Sequence, residues 1–326
     1  MNSPLDDFRR LHLPARVGFL AICLLATSSI AGPLEVETSS VPSAWIVRHE
    51  GRNVLQYAYA PGRFKPYVKE LATLDGRNLL RDAPSDHLHH HALMYAVRVE
   101  GINFWEEVPG SGIQRPVETT IPAPTTPGPG RSRASLHQTL HWLKPEHAFL
   151  PATEGHALLV ERRSLTLEVD EPGHEVSLLW RSEFETGSGH PEVVVDGANY
   201  FGLGARFLAE MDSSAVHFAA DGPLDVANGR QDVSQHPWAA VAFDRPGSGS
   251  TFAILGHPRN PGGAPWFFSM KTPFAYLSAT ERPDRQPRVL ARGDRVALEF
   301  LVLALPGRAT PDALEARYRR WIAPAP

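Results

Sequence analysis

The chain has 326 residues, a formal net charge of −4 and a single cysteine, Cys23. This mild acidity argues against nucleic acid as a partner, because nucleic-acid-binding proteins usually present a basic face. A chain of this length buries roughly three quarters of its unfolded surface, so a core can form without disulfides or a structural metal.

The N-terminus has the pattern of an export signal, which we predict over residues 1–31. Arg9, Arg10 and Arg16 form a positive flank, an apolar run follows, and Ser29-Ile30-Ala31 supplies the small residues that a signal peptidase requires. Cleavage after Ala31 would leave 295 residues (326 − 31) and remove the cysteine. No later run of 18 apolar residues follows. We therefore expect an exported protein, periplasmic or extracellular, without a membrane span after cleavage. The sequence leaves its oligomeric state open.

Apolar and polar residues alternate with period two over most of the mature chain, which is typical of strands with one buried face. Clear examples are Leu55–Tyr59, Leu93–Val99, Leu165–Val169 and Val296–Phe300. The fold class predicted is all-β, a single large antiparallel β-sandwich domain over residues 32–326. The Pro- and Thr-rich segment 116–130 is predicted as a surface loop within that domain.

Two local signals refine this picture. Glu100-Gly101 is short enough to close a hairpin between the neighbouring strands. At the C-terminus, Thr310 and Pro311 form a helix start, and Leu314, Tyr318 and Trp321 follow on one face. We predict a short C-terminal helix that packs against the sheets.

The main candidate site is a run of four histidines within five residues, preceded by an acid: Asp86-His87-Leu88-His89-His90-His91. Imidazole can carry a proton, bind a metal or hydrogen-bond a polar ligand near neutral pH. In an extended segment, His87, His89 and His91 would share one face and His90 would lie on the other. Asp86 would orient one imidazole through its second nitrogen.

Two later segments supply candidate binding residues. His257 and Asn260 are each followed by a proline, and Trp266 comes shortly after; amide, imidazole and aromatic groups of this kind commonly hold a sugar. Gly202-Leu203-Gly204 precedes Arg206 and lacks the third glycine of a dinucleotide fingerprint. Glycines in a strand more often mark a bulge or a close backbone approach. Arg206 is then placed either to bind a ligand or to form a structural ion pair.

These segments together resemble an exported bacterial family labelled "methane oxygenase PmoA", otherwise a domain of unknown function. The resemblance covers about residues 43–321 and rests on the following motifs: Asp86-His87-x-His89-His90, Gly101-x-x-Phe104-Trp105, Gly202-Leu203-Gly204-x-Arg206, His257-Pro258-x-Asn260-Pro261, Pro265-Trp266 and Pro273-Phe274. It implies a galactose mutarotase-like β-supersandwich and a link to carbohydrate processing. Family members typically carry arginine at the position of His91. No catalytic residue is established for the family, so none is transferred.

Three functions follow as hypotheses. The first is an enzyme acting on a carbohydrate or glycoside, with His87 or His89 as acid or base and Asp86 assisting. Arg206, His257 and Asn260 would bind hydroxyls, and Trp105 or Trp266 would stack on the sugar; no cofactor is required. The second is a metal-dependent oxidoreductase or metal-binding protein, with a divalent metal such as zinc, copper, iron or manganese on His87 and His89, joined by His257 or a carboxylate. The third is a non-catalytic carbohydrate-binding protein.

Overall fold

A computed structural model describes residues 34–40, 43–151, 153–244 and 249–324. The predicted export signal lies outside the described residues. In chain order the strands are β1 (Glu35–Ser40), β2 (Ser43–His49), β3 (Arg52–Ala58), β4 (Tyr67–Leu71), β5 (Leu93–Ala96), β6 (Arg98–Val99), β7 (Ile102–Asn103), β8 (Ile113–Thr120), β9 (Thr125–Gly128), β10 (Arg131–Leu143), β11 (Ala157–Asp170), β12 (Glu175–Thr186), β13 (Glu192–Asp196), β14 (Gly202–Arg206), β15 (Ala215–Ala219), β16 (Gly222–Pro223), β17 (Gln231–Gln235), β18 (Trp238–Phe243), β19 (Ser250–Gly256), β20 (Trp266–Met270), β21 (Tyr276–Thr280), β22 (Arg288–Ala291) and β23 (Val296–Pro306). Short 3-10 turns lie at Pro145–His147, Glu154–His156, Ala209–Ser214 and Ala227–Gly229, and one α-helix, α1, spans Pro311–Ile322.

The strands form three antiparallel sheets. The first has nine strands in the order β1-β2-β3-β4-β5-β14-β21-β20-β17. The second has ten, in the order β16-β15-β18-β19-β23-β12-β11-β10-β8, with β9 also paired to β10. A small third sheet has the order β22-β13-β6-β7. The all-β sandwich predicted from the alternating pattern is confirmed, and the small sheet is an addition to it.

One hydrophobic core lies between the first two sheets. Leu165, Leu167 and Val169 of β11 are fully buried and alternate with partly exposed residues, as the period of two predicts. Across the interface, Tyr95 of β5 packs its ring against Trp142 of β10 at a centroid distance of 6.2 Å. Both large sheets therefore bury one face against the other, which is the arrangement of a sandwich.

The outward face of the second sheet carries the C-terminal helix, which confirms the predicted helix and its packing role. The Thr310 hydroxyl accepts a hydrogen bond from the Ala313 amide at 3.2 Å, as an N-cap should. Leu314 and Tyr318 are buried against apolar side chains of β18, β19 and β23. The described part of the chain contains no helix that is both long and apolar enough to cross a membrane.

The segment 116–130 was predicted as a loop, and this is wrong for most of its length. Residues 116–120 belong to β8 and residues 125–128 form β9, and both strands pair with β10. The side chains are largely exposed, so the surface location holds. Proline is compatible with strands at a sheet edge, where its missing N–H is not required by a neighbour.

The first sheet is covered on both faces near its middle. Along β21, Ala279 lines an interior space together with Phe300 of the second sheet, so odd-numbered residues face the sandwich core. Tyr276 points to the opposite face. On the adjacent strand β14, Gly204 faces the same way as Tyr276, and a Cβ at Gly204 would overlap the Tyr276 hydroxyl and lie 2.9 Å from Trp105. The close backbone approach predicted from the glycine spacing is confirmed.

The substitution Gly204→Ala should destabilise the protein by about 1–3 kcal/mol, because the added methyl group has no space beneath the two aromatic side chains. The matched control is Gly128→Ala in β9, where an added Cβ meets nothing within 4 Å. That control should change stability by less than about 0.5 kcal/mol. Urea unfolding of both variants measures the difference, and equal effects would contradict the packing argument.

Candidate functional site

The histidine run lies on the covered outer face of the first sheet, and its backbone turns rather than extends. The His87 amide donates to the Pro84 carbonyl at 2.9 Å, and the His90 amide donates to the His87 carbonyl at 2.9 Å. These successive turns place the His87 and His90 rings in a stack with centroids 4.6 Å apart. The His89 ring meets His90 edge-on, also at 4.6 Å.

The predicted grouping of the four imidazoles is therefore wrong. It assumed an extended backbone, in which His90 would lie opposite the other three. In the turned backbone His87, His89 and His90 converge on one cavity, whereas His91 points away from it. The sequence pattern identified the correct segment. It predicted that His90 would face away from the other three imidazoles, whereas His91 is the one that does.

The cavity has a volume of about 310 Å³ and is lined by both polar groups and aromatic rings. His87, His89, His90 and Glu106 are among the polar groups. The aromatic wall consists of Tyr200, Phe268, Phe274 and Tyr276, and the remaining lining side chains are Asn199, Gln231 and Met270. This volume lies at the lower end of the range for small-molecule sites.

Glu106 is the one carboxylate among the residues that line the cavity, and it lies beside the predicted catalytic histidine His89. Its Oε2 lies 3.2 Å from His89 Nδ1. Burial lowers the pKa of His89, and the adjacent Glu106 opposes this without reversing it. The neutral form of the His89 imidazole is therefore favoured, and the contact with Glu106 is an electrostatic one at 3.2 Å rather than an aligned hydrogen bond.

His90 is the most deeply placed of the three cavity imidazoles. Burial, together with the neighbouring His89 and His87, lowers the pKa of His90 to about 3. Its Nδ1 is buried and has no hydrogen-bond partner among the described residues. The Tyr276 hydroxyl, whose ring stacks on His90 at 5.7 Å, is likewise buried and unpartnered within that part of the chain.

Asp86 does not occupy the position predicted for it. Its Oδ2 accepts a hydrogen bond from Arg206 Nη2 at 3.0 Å, and it lies 3.3 Å from His87 Nδ1 without the geometry of a hydrogen bond. Burial raises the pKa of Asp86, but Arg206, His87 and the backbone amide of Asp86 together outweigh burial, and the pKa is lowered. Asp86 is therefore a partner of Arg206 at the edge of the site, 45% exposed on its side chain.

Arg206 forms the structural ion pair that was one of its two predicted roles. The side chain is 2% exposed and lies outside the set that lines the cavity. Its guanidinium carbon sits 3.2 Å from the centroid of the Phe274 ring, so it supports one aromatic wall from behind. Its Nε and Nη1 are buried and have no partner in the described residues.

His257 and Asn260 are not brought to the cavity, contrary to their predicted role in substrate binding. The Asn260 side chain donates to the Glu299 carbonyl at 3.0 Å and accepts from the Glu299 amide at 2.8 Å. It thereby continues the β19–β23 ladder beyond Gly256, with an amide in place of a backbone group. The His257 ring packs against Trp321 of α1 at 5.1 Å. Both residues stabilise the second sheet.

The two predicted stacking residues also lie outside the cavity lining. Trp105 is fully buried and stacks on Phe201 at 4.9 Å, so it has no free face for a sugar. Trp266 is partly exposed beside the Arg282 guanidinium, which lies 5.3 Å from its ring. Sequence reasoning missed the actual aromatic wall because those four residues come from three separated segments with no shared motif.

The predicted metal set His87, His89 and His257 is not assembled, since His257 contacts the second sheet and α1. Within the described ranges, no three His, Cys, Asp or Glu side chains are grouped so that they could hold a metal ion.

Behind the cavity, His91 lies between two carboxylates. Its Nδ1 is 2.7 Å from Asp82 and its Nε2 is 3.0 Å from Glu107. Burial lowers the pKa of His91, but the hydrogen bonds to Asp82 and Glu107 outweigh it and the pKa is raised. A protonated imidazole can donate from both nitrogens, which matches this geometry.

Comparison with known proteins places the chain in a family. Residues 44–319 match the profile of the family of unknown function DUF6807, so the chain belongs to that family. The family description names no activity, and it gives no support to the methane-oxygenase label expected from the motifs. No curated protein matches the sequence.

Several solved structures align with the chain at low identity. The α-galactosidase of Lactobacillus brevis aligns with a TM-score of 0.49 and 10% identity, over 87% of this chain and 42% of that chain. The GH36 α-galactosidase AgaB of Geobacillus stearothermophilus aligns with a TM-score of 0.48 and 12% identity, over 84% and 41%. This chain therefore spans about two fifths of the length of these galactosidases, and the likeness concerns the fold alone.

The substitution His91→Gln should lower stability more at pH 6 than at pH 9. A raised pKa in the folded state stabilises the protonated form. That contribution is complete below the unfolded pKa of about 6.5 and is lost as pH rises through the folded pKa. We expect a loss of about 1–3 kcal/mol at pH 6, because two buried carboxylates lose their charged donor. Urea unfolding at both pH values tests this, and a loss that is equal at pH 6 and 9 would contradict a charged His91.

Proposed function

We propose that this protein is an exported enzyme that performs acid–base chemistry on a neutral hydroxylated small molecule, a carbohydrate or glycoside, in the cavity lined by His87, His89 and His90. The observation that carries the proposal is the convergence of three imidazoles and the Glu106 carboxylate on one cavity that is also lined by aromatic rings. Imidazole and carboxylate groups grouped in this way can exchange a proton with a substrate hydroxyl and hydrogen-bond its neighbours.

The proposed proton carrier is His89, supported by Glu106. With its lowered pKa, His89 is neutral at pH 7 and can accept a proton. The Glu106 carboxylate beside Nδ1 would stabilise the imidazolium that forms. His87 and His90 would hydrogen-bond substrate hydroxyls, and the aromatic wall would pack on the apolar face of the sugar.

The charges of the lining favour a neutral substrate. Glu106 is the one acidic residue of the lining, and no lysine or arginine lines the cavity. A carboxylated or phosphorylated sugar would enter without a cation to pair with. The lining also contains a single carboxylate, whereas glycosidases of the common mechanism use two. Proton transfer by an imidazole therefore fits this site better than two-carboxylate hydrolysis.

The substitutions His89→Ala and Glu106→Gln should each lower turnover by about 10²–10⁴-fold, the usual contribution of acid–base catalysis. The measurement is NMR of a panel of neutral mono- and disaccharides incubated with the full-length protein. His87→Ala should mainly weaken binding. The control is His137→Ala, a histidine of β10 that bonds Ser164 on the exposed surface of the second sheet.

Other outcomes would support the other two hypotheses. Turnover that is unchanged in the His87→Ala and His89→Ala variants would reject the catalytic roles. Ligand-induced shifts of cavity resonances without any conversion would favour a non-catalytic carbohydrate-binding protein. Near-stoichiometric metal in untagged protein, lost on His87→Ala and His89→Ala, would favour the metal-dependent alternative.

A further inference from the structure

One buried lysine holds both chain neighbours of Glu106. Lys65 has no exposed side-chain surface, and its Nζ donates to the Trp105 carbonyl at 2.9 Å and to Glu107 Oε1 at 2.7 Å. The Asn103 side chain additionally accepts hydrogen bonds from the Trp105 and Glu106 amides, at 2.8 and 3.2 Å. The segment is therefore fixed on either side of Glu106, whose own side chain lines the cavity.

His91 joins the histidine run to the same group. Its Nε2 binds the second oxygen of Glu107 at 3.0 Å, while Lys65 binds the first. Glu107 is thus shared between Lys65 and the last histidine of the run. The two chain segments that meet at His89 and Glu106 are connected behind the cavity through this one carboxylate.

The connection is balanced in charge and well enclosed. Lys65 and His91 face the carboxylates of Glu107 and Asp82. The Tyr67 ring stacks on His91 at 4.2 Å, and its hydroxyl donates to Asp82 at 3.0 Å and accepts from Arg63 at 2.6 Å. Removal of either cation would take one charged partner from the half-buried Glu107 carboxylate, which favours local rearrangement.

We infer that Lys65 and His91 are positioning residues that hold Glu106 against the His89 imidazole through Glu107, without touching the ligand. Neither residue lines the cavity. This inference rests on the proposed role of the pair His89–Glu106, and it adds the residues that set the distance of 3.2 Å between them.

The test is a double-mutant cycle read by imidazole NMR of the full-length protein, with the His89 signal assigned through His89→Ala. Glu106→Gln should lower the pKa of His89, because the carboxylate favours the protonated ring. The same substitution in a His91→Gln background should lower that pKa much less, since Glu106 is no longer held in place. A Lys65→Met background should give the same result. Comparison within each background removes the direct electrostatic effect of Lys65 or His91 on His89.

Two further variants separate positioning from general loss of stability. His91→Arg keeps a cation between Asp82 and Glu107 and should restore the full shift. His49→Gln removes another buried histidine–carboxylate contact, that with Glu171 at 2.9 Å, and should leave the shift unchanged. If circular dichroism shows that Lys65→Met does not fold, the comparison of His91→Gln with His91→Arg tests the inference. His91→Gln is the milder change, because glutamine keeps one hydrogen bond.

The outcomes are distinct. A full shift in both the His91→Gln and Lys65→Met backgrounds would overturn the positioning role and leave the proposed function intact. The absence of any shift on Glu106→Gln in the otherwise unchanged protein would instead reject the pair His89–Glu106 itself. A shift lost in His49→Gln as well would show that any destabilisation disturbs the site, which also overturns the inference.

Discussion

The cost of burying a polar group without a hydrogen-bond partner governs the arrangement of this molecule. At one ion pair in the sandwich core this cost is avoided completely: Arg163 and Glu161 have no exposed side-chain surface and pair at 2.7 Å. Arg163 also donates to Tyr57 and Gln114, and Glu161 accepts from Trp142 and Ser182. A buried ion pair of this kind is tolerated because each remaining donor and acceptor is used. The cavity shows the opposite condition, with buried polar atoms left without a partner in the described part of the chain.

This contrast follows from the two-sided burial of the first sheet. Its middle strands β5, β14 and β21 face the sandwich core on one side and the histidine-bearing turns on the other. Gly204 leaves room for Tyr276 and Trp105, whose rings meet edge to face, to pack on the outer side. Packing against these rings buries His90, and burial is the largest influence on the pKa values of His89 and His90, which it lowers. The strand pattern that builds the sandwich therefore also sets the chemistry of the site.

Most of the strands were predictable because the alternation of apolar and polar residues directly reflects which side chains are buried. The C-terminal helix and the hairpin at Glu100-Gly101 were predictable because a helix cap and a tight turn are encoded by neighbouring residues. That turn has positive φ at both residues, 51° and 73°, as a tight hairpin requires. The segment 116–130 was misread because proline suppresses the strand pattern, although an edge strand needs fewer of its N–H groups. Period two also failed at the histidine run, since the i, i+2 rule applies only where the backbone is extended.

The candidate site was predictable only in part, because its members meet through tertiary contacts. His87 and His89 were identified from their local density. Glu106 was not, since the chain has 36 acidic residues and spacing alone cannot choose among them. His257 and Asn260 had a suggestive composition, yet their backbone-like hydrogen bonds serve the second sheet. A motif of sugar-binding residue types is thus weak evidence when the same types can also cap a strand.

The four neighbouring imidazoles are tolerated because their surroundings give them different charges. His91 lies between Asp82 and Glu107, which raise its pKa, so it acts as a buried cation. His90 is surrounded by rings and other imidazoles, which keep it neutral. If all four were charged, their repulsion would oppose the turn that holds them; if all were neutral, two buried carboxylates would face Lys65 alone. His91 therefore lies where a protonated ring is favoured and His90 where a neutral ring is favoured, and this difference separates the supporting network from the cavity.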